Sequence, residues 1–140
     1  MTPTNILTLV VVAAGLAAAV RNFWPATGPL PLYQAVSLAV MVAAFCLFAA
    51  ARIELGTSFS VAAKAKHLVT GGLYSKIRNP IYVFGGLVIA AFLVYIGRPV
   101  LLLVFVVLIP VQVTRARKES RLLEETFGDE YRAYKARTWF

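Results

Sequence analysis

Two clusters in this chain gather groups able to do chemistry. In the first, Arg78, Asn79 and Tyr82 surround Pro80 where a polar stretch gives way to an apolar run, with Tyr74 in the approach. Asn79 precedes a proline and is biased away from helical geometry, while Pro80 suits the first position of a helix. Arg78 and Asn79 then stand at a helix N-terminus, where free backbone N–H groups favour an anionic group. An aromatic pair with an Arg suits a flat, charged ligand; the same residues also fit an ordinary interfacial belt. In the second cluster Arg115 and Glu119 lie four apart and share a helix face. Alone, they are equally a solvated ion pair in the less favourable Arg-first order.

The elements that position these clusters follow from composition. Of 140 residues, 60% are hydrophobic and 14% charged, against roughly 25% charged in a soluble domain. So small a soluble fold cannot bury that much apolar surface. A transmembrane helix needs roughly 17–25 mostly apolar residues, and four windows approach this: 5–20, 32–51, 81–97 and 99–114. Gly97-Arg98-Pro99 cannot continue a buried helix and predicts a tight hairpin between the last two. The expected fold is therefore an all-α integral membrane protein of about four short transmembrane helices in one domain, 1–140. A cytoplasmic loop, 52–80, and a cytoplasmic tail, 115–140, carry the polar residues.

Seven Lys/Arg lie beyond Thr114 and five in 52–78, whereas the opposite side offers Arg21 and Arg98. The positive-inside rule puts loop, tail and both termini in the cytoplasm. The first window lacks the positive n-region of a cleaved signal peptide. In the tail, Leu122, Leu123, Phe127, Tyr131 and Tyr134 recur at helical spacing, giving an amphipathic helix that Gly128 is expected to break, with Asp129 opening a further turn.

The net charge of +8 flanks membrane spans, so it reads as topology and anionic-lipid contact rather than nucleic-acid binding. Cys46 lies inside the second span and has no cysteine partner. One Cys and one His make no metal-ligand set, so no metal is expected. There is no P-loop, GxGxxG or nucleophile elbow.

The stretch LVTGGLYSKIRNPIY, from Leu68 to Tyr82, resembles the LVTxGxYxxxRHPxY signature of the isoprenylcysteine carboxyl methyltransferases. Glu119, Leu123, Phe127, Gly128, Tyr131 and Tyr134 resemble that family's C-terminal signature, and the upstream LGTSFS also fits. The resemblance covers about 54–137 and implies a membrane-embedded methyltransferase using S-adenosylmethionine without a Rossmann domain. It implies cofactor contacts at Lys66, His67, Leu68, Val69, Tyr74, Arg78, Asn79, Pro80, Ile81, Tyr82 and Glu119, with Arg115 facing the acceptor. A carboxylate at Glu119 suits the cationic part of that cofactor, and a helix N-terminus at Asn79–Ile81 an anionic part. An Arg fixes an acceptor carboxylate through two hydrogen bonds.

Three departures stand out. Asn79 replaces the family His, Ser120 replaces the second Glu of a pair, and Lys66 stands where a His is expected, with His67 one position late. Asn79-Pro80-Ile81-Tyr82 also resembles the Asn-Pro-x-Tyr of phospholipid N-methyltransferases. The expected function is methyl transfer to a lipidic acceptor delivered through the membrane, first a carboxylate of isoprenylcysteine type, alternatively a phospholipid amine. A reductase on related helices and a non-catalytic membrane protein on this scaffold are the readings of other classes. The acceptor's identity and the oligomeric state are not legible in the sequence.

Overall fold

The computed structural model describes residues 3–25, 28–56 and 68–140; Lys66 and His67 lie outside them. Among the described residues all regular structure is helical, save one isolated parallel bridge between Ile77 and Trp139. Five α-helices follow in order: α1 (Pro3–Asn22), α2 (Leu32–Leu55), α3 (Pro80–Tyr95), α4 (Phe105–Phe127) and α5 (Asp129–Arg137). Short 3-10 segments at Gly72–Ser75 and Pro99–Val104 precede α3 and α4.

The core is the seam between α2 and α3, where Met41 and Ala44 meet Val88 and Ala91, all buried. Small side chains let two apolar helices approach closely without relying on water exclusion. Leu16 and Val20 of α1 pack on the outside of this seam. At the end away from the polar clusters, the three helices are tied by hydrogen bonds. Buried Gln34 donates to the carbonyls of Tyr95 (3.1 Å) and Phe23 (3.4 Å), and the fully buried Tyr95 donates to the Val20 carbonyl at 3.1 Å. These side chains satisfy carbonyls that helix ends leave without partners.

The expected hairpin turn is present. Gly97 has φ +70°, a left-handed conformation that a glycine adopts without strain. The Gly97 and Arg98 N–H groups bond back to the carbonyls of Val94 and Leu93. The returning arm begins as a 3-10 turn and becomes α4, which runs unbroken past Thr114 to Phe127. Gly128 ends it and α5 starts at Asp129, as the tail's pattern predicts.

Two segments, Leu32–Leu55 and Pro99–Phe127, are long and apolar enough to cross a membrane. Both carry exposed apolar side chains, Leu32, Val36 and Val42 on the first and Val100, Leu103, Val106 and Val107 on the second, and an apolar surface of that extent needs lipid or a partner. The other two expected spans are apolar but shorter: α3 has 16 residues and the described apolar part of α1 is Ile6–Asn22.

Candidate active site

The N-terminus of α3 is built as its sequence dictates, then used in an unexpected way. Pro80 takes the first helical position and is buried, and the Asn79 carbonyl accepts from the N–H groups of Tyr82 and Val83. The end of the chain returns to this point. Trp139 N–H donates to the Lys76 carbonyl (2.7 Å), and Arg78 N–H donates to the Trp139 carbonyl (2.9 Å). Asn79 donates twice to the Phe140 main-chain oxygen, from its backbone N–H and from its side-chain Nδ2, both at 3.0 Å. The N–H groups of Arg78 and Asn79, expected to face a ligand, are thus engaged by the chain's own main-chain oxygens.

Tyr74 sits in the 3-10 turn Gly72–Ser75 and is buried. Its hydroxyl donates to the Ala51 carbonyl at 3.4 Å, and its own carbonyl accepts from the Tyr134 hydroxyl at 2.7 Å. Burial pushes the Tyr74 phenol far above its ordinary value, and the charge of Glu119 adds to this. Burial likewise takes Tyr134 up to about 12, with Tyr131 adding to the rise and Arg78 and Arg137 opposing it. The turn is held by Glu54, whose carboxylate accepts from Leu73 N–H at 2.8 Å. Gly72, at φ +56°, lets that carboxylate approach; a Cβ there would collide with it.

Glu119 lies half-buried on α4, beyond the apolar part of the helix, and accepts from the Tyr82 hydroxyl at 3.4 Å. Burial raises its pKa, and the Tyr82 hydrogen bond partly opposes this. Among the described residues it has no ion-pair partner, which fits a site able to take a cationic group. Arg115, one turn earlier, is exposed; its charge acts on the Tyr82 hydroxyl, and it has no hydrogen-bond or ion-pair partner among the described residues. Ser120 accepts from the Tyr131 hydroxyl at 2.8 Å and so ties α4 to α5.

Between α3 and α4 runs a cavity of about 380 Å³, mostly apolar, lined by Tyr82, Gly86, Phe105, Gln112 and Phe140 among others. Leu87 and Ile109 at its rim are exposed, so it opens on the apolar flank. A Cβ on Gly86 would stand 3.6 Å from the Phe105 ring, so this glycine widens the space. Tyr82 belongs to both cavity and polar cluster, placing Glu119 and Arg115 near the cavity's polar end.

Of the residues singled out in the sequence, Tyr82, Arg115 and Glu119 converge here, and Asn79 adjoins them through Phe140. Arg78 lies half-buried near Tyr134, and Ile81, Leu68 and Val69 are half-buried. Tyr74 points instead into the protein. Sequence reasoning missed Glu54, Gln34 and the Trp139–Phe140 segment. Glu54 carried one signal, being the lone acid in a basic loop. No group of three His, Cys, Asp or Glu side chains among the described residues is placed to hold a metal.

Fold and site together define an all-helical, membrane-type protein in which the Tyr82 phenol lines an apolar cavity and meets the Glu119 carboxylate, with the Arg115 charge acting on it. Residues 32–130 match the family model of the phospholipid methyltransferases, PEMT, and the chain belongs to that family. This makes it a membrane methyltransferase of a family that uses S-adenosylmethionine and acts on lipids. No curated protein and no solved structure matches the chain.

Proposed function

We propose that the whole chain, 1–140, is a single membrane domain that methylates the polar end of a lipidic acceptor lying in the cavity between α3 and α4. The observation that carries this reading is Tyr82, which lines that cavity and whose hydroxyl donates to Glu119 and feels the charge of Arg115. The residues fit the cofactor's chemistry, because Glu119 is a half-buried carboxylate with no ion-pair partner among the described residues. When bound, S-adenosylmethionine supplies a methyl group on a positively charged sulfur. Glu119 holds the cationic side of the cofactor, and Tyr82 orients Glu119. Leu68, Val69, Tyr74, Arg78, Asn79, Pro80 and Ile81 shape or support the same region, and Lys66 and His67 precede it in sequence.

Arg115 holds the acceptor. A carboxylate acceptor of isoprenylcysteine type is the first reading, because Arg115 presents a guanidinium fork that no described carboxylate occupies. A carboxylate is already ionised near neutral pH and needs no general base. Rate then comes from holding two reactants in line and away from water. The second reading, a phospholipid amine, is favoured by the family's description and by Asn79-Pro80-Ile81-Tyr82; there Arg115 would take the lipid phosphate and the ammonium would first lose a proton to water. Both readings place four spans in the membrane, with loop, tail and termini cytoplasmic.

Titration of the purified full chain with S-adenosylmethionine is the first test, and absence of binding at millimolar cofactor would leave a non-catalytic scaffold. Methyl-labelled cofactor added with extracted membrane lipid is the second. Base-labile label in the lipid marks an ester and the carboxylate reading; base-stable label marks an amine.

A further inference from the structure

The pairing of Trp139–Phe140 with Lys76–Asn79 lies partly outside residues 32–130, the stretch that the family model matches. Its centre is Asn79, whose two donors converge on one main-chain oxygen, that of Phe140. Phe140 in turn lines the cavity beside Tyr82. Its ring also meets that of Trp139, centroids 5.9 Å apart, and Trp139 is 65% exposed. A donor pair aimed at a main-chain oxygen fixes where that residue's side chain stands. Here the side chain so fixed is a wall of the space assigned to the acceptor.

We infer that Asn79 is a positioning residue for the lipid acceptor: it holds Phe140 as the wall of the polar end of the α3/α4 cavity. This rests on the function proposed above, and it moves Asn79 from the cofactor to the acceptor. The side-chain amide supplies a donor beside the backbone one, and an isosteric carboxylate at this position would supply none. An Asp would set a negative charge against the Phe140 main-chain oxygen and release the segment.

The test uses the full chain carrying Trp24→Phe, which leaves Trp139 as the sole tryptophan. Fluorescence anisotropy of Trp139, whose ring is already exposed, should fall in Asn79→Asp, as expected when a tethered segment opens locally. Unchanged anisotropy would overturn the tie, with no need for turnover. With a farnesylated N-acetylcysteine as acceptor, Asn79→Asp and Phe140→Ala should each raise acceptor KM by about fivefold, the scale of one lost hydrogen bond. Their double variant should be no worse than either alone, because both remove one contact. Affinity for S-adenosylmethionine, read by titration calorimetry, should stay within about threefold in each, since no interaction with it is removed. A large loss of cofactor affinity in Asn79→Asp, with Phe140→Ala unaffected, would return Asn79 to the cofactor and overturn the inference. If the unaltered chain binds no cofactor the proposed function fails, and the anisotropy alone then decides whether Asn79 holds the segment.

Discussion

Burial raises the Glu119 pKa above its ordinary 4.5, and the sign of that shift fixes how pH acts on the molecule. Between 4.5 and the raised value the folded chain holds a proton that the unfolded chain has lost. Stability therefore falls as pH rises through that window and is level above it. A cationic ligand reverses the preference, because it needs the ionised carboxylate. Affinity for S-adenosylmethionine should climb with pH across the same window, with proton release on binding. In Glu119→Gln the climb should vanish and affinity should drop by about tenfold or more, the scale of a charged hydrogen bond. Calorimetry in two buffers of different ionisation heat reads both effects; a Gln variant that keeps the pH dependence would show that another group is responsible. Arg115 offers the contrasting case. Arg115→Ala should lower turnover by about a hundredfold through lost acceptor positioning while cofactor affinity changes by no more than a few-fold. Equal loss of both would remove Arg115 from the acceptor.

At the scale of elements, the Gly72–Ser75 turn depends on one carboxylate and one missing side chain. Gly72→Ala meets both a positive φ and the Glu54 carboxylate, so it should destabilise the fold by about 1–3 kcal/mol. Gly71→Ala next to it, at φ −92° with open space around it, should cost little. Thermal unfolding of the two variants in one detergent checks this, and equal loss would remove Glu54 as the cause. Which elements were legible follows from what each leaves in the sequence. Pro80 at a helix start, Gly97-Arg98-Pro99 at a hairpin and Gly128 at a helix end were readable because backbone constraints are written in residue type. The convergence of Tyr82 and Glu119 was readable through a resemblance. The return of Trp139–Phe140 to Lys76–Asn79 was not, because three of its bonds join backbone groups that every residue carries. Gln34 and Glu54 were missed because each is a single polar residue whose partner is a backbone group distant in sequence.

For the whole molecule, charge placement makes a prediction about sidedness. Arg98 sits in the hairpin turn at one end of α3, and Lys76 lies just before its other end. In a Cys46→Ser background, Arg98→Cys should react with a membrane-impermeant thiol reagent added outside intact cells. Lys76→Cys should react only after the membrane is opened. The same sidedness for both would break the four-span arrangement, which has two long spans and two shorter apolar helices to rely on.

The short 3-10 stretch ahead of α4 bears on where such a protein can live. A 3-10 turn climbs about 2.0 Å per residue against about 1.5 Å in an α-helix. The six residues Pro99–Val104 therefore stretch the arm from Pro99 to Thr114 to about 27 Å, some 3 Å more than an all-α arm of that length. The 16 residues of α3 reach only about 24 Å, and a typical hydrocarbon layer is about 30 Å deep. If both arms cross the layer, as proposed above, the hairpin matches a thin bilayer, and a thick one must pinch inward to meet it, which costs a fraction of a kcal/mol for each ångström. Thermal stability and turnover should thus peak in vesicles of short-chain lipids and decline as the acyl chains lengthen. A flat response across chain length would mean that α3 does not cross the layer alone. Bilayer depth, as well as the acceptor dissolved in it, then becomes a control on when this chain is active.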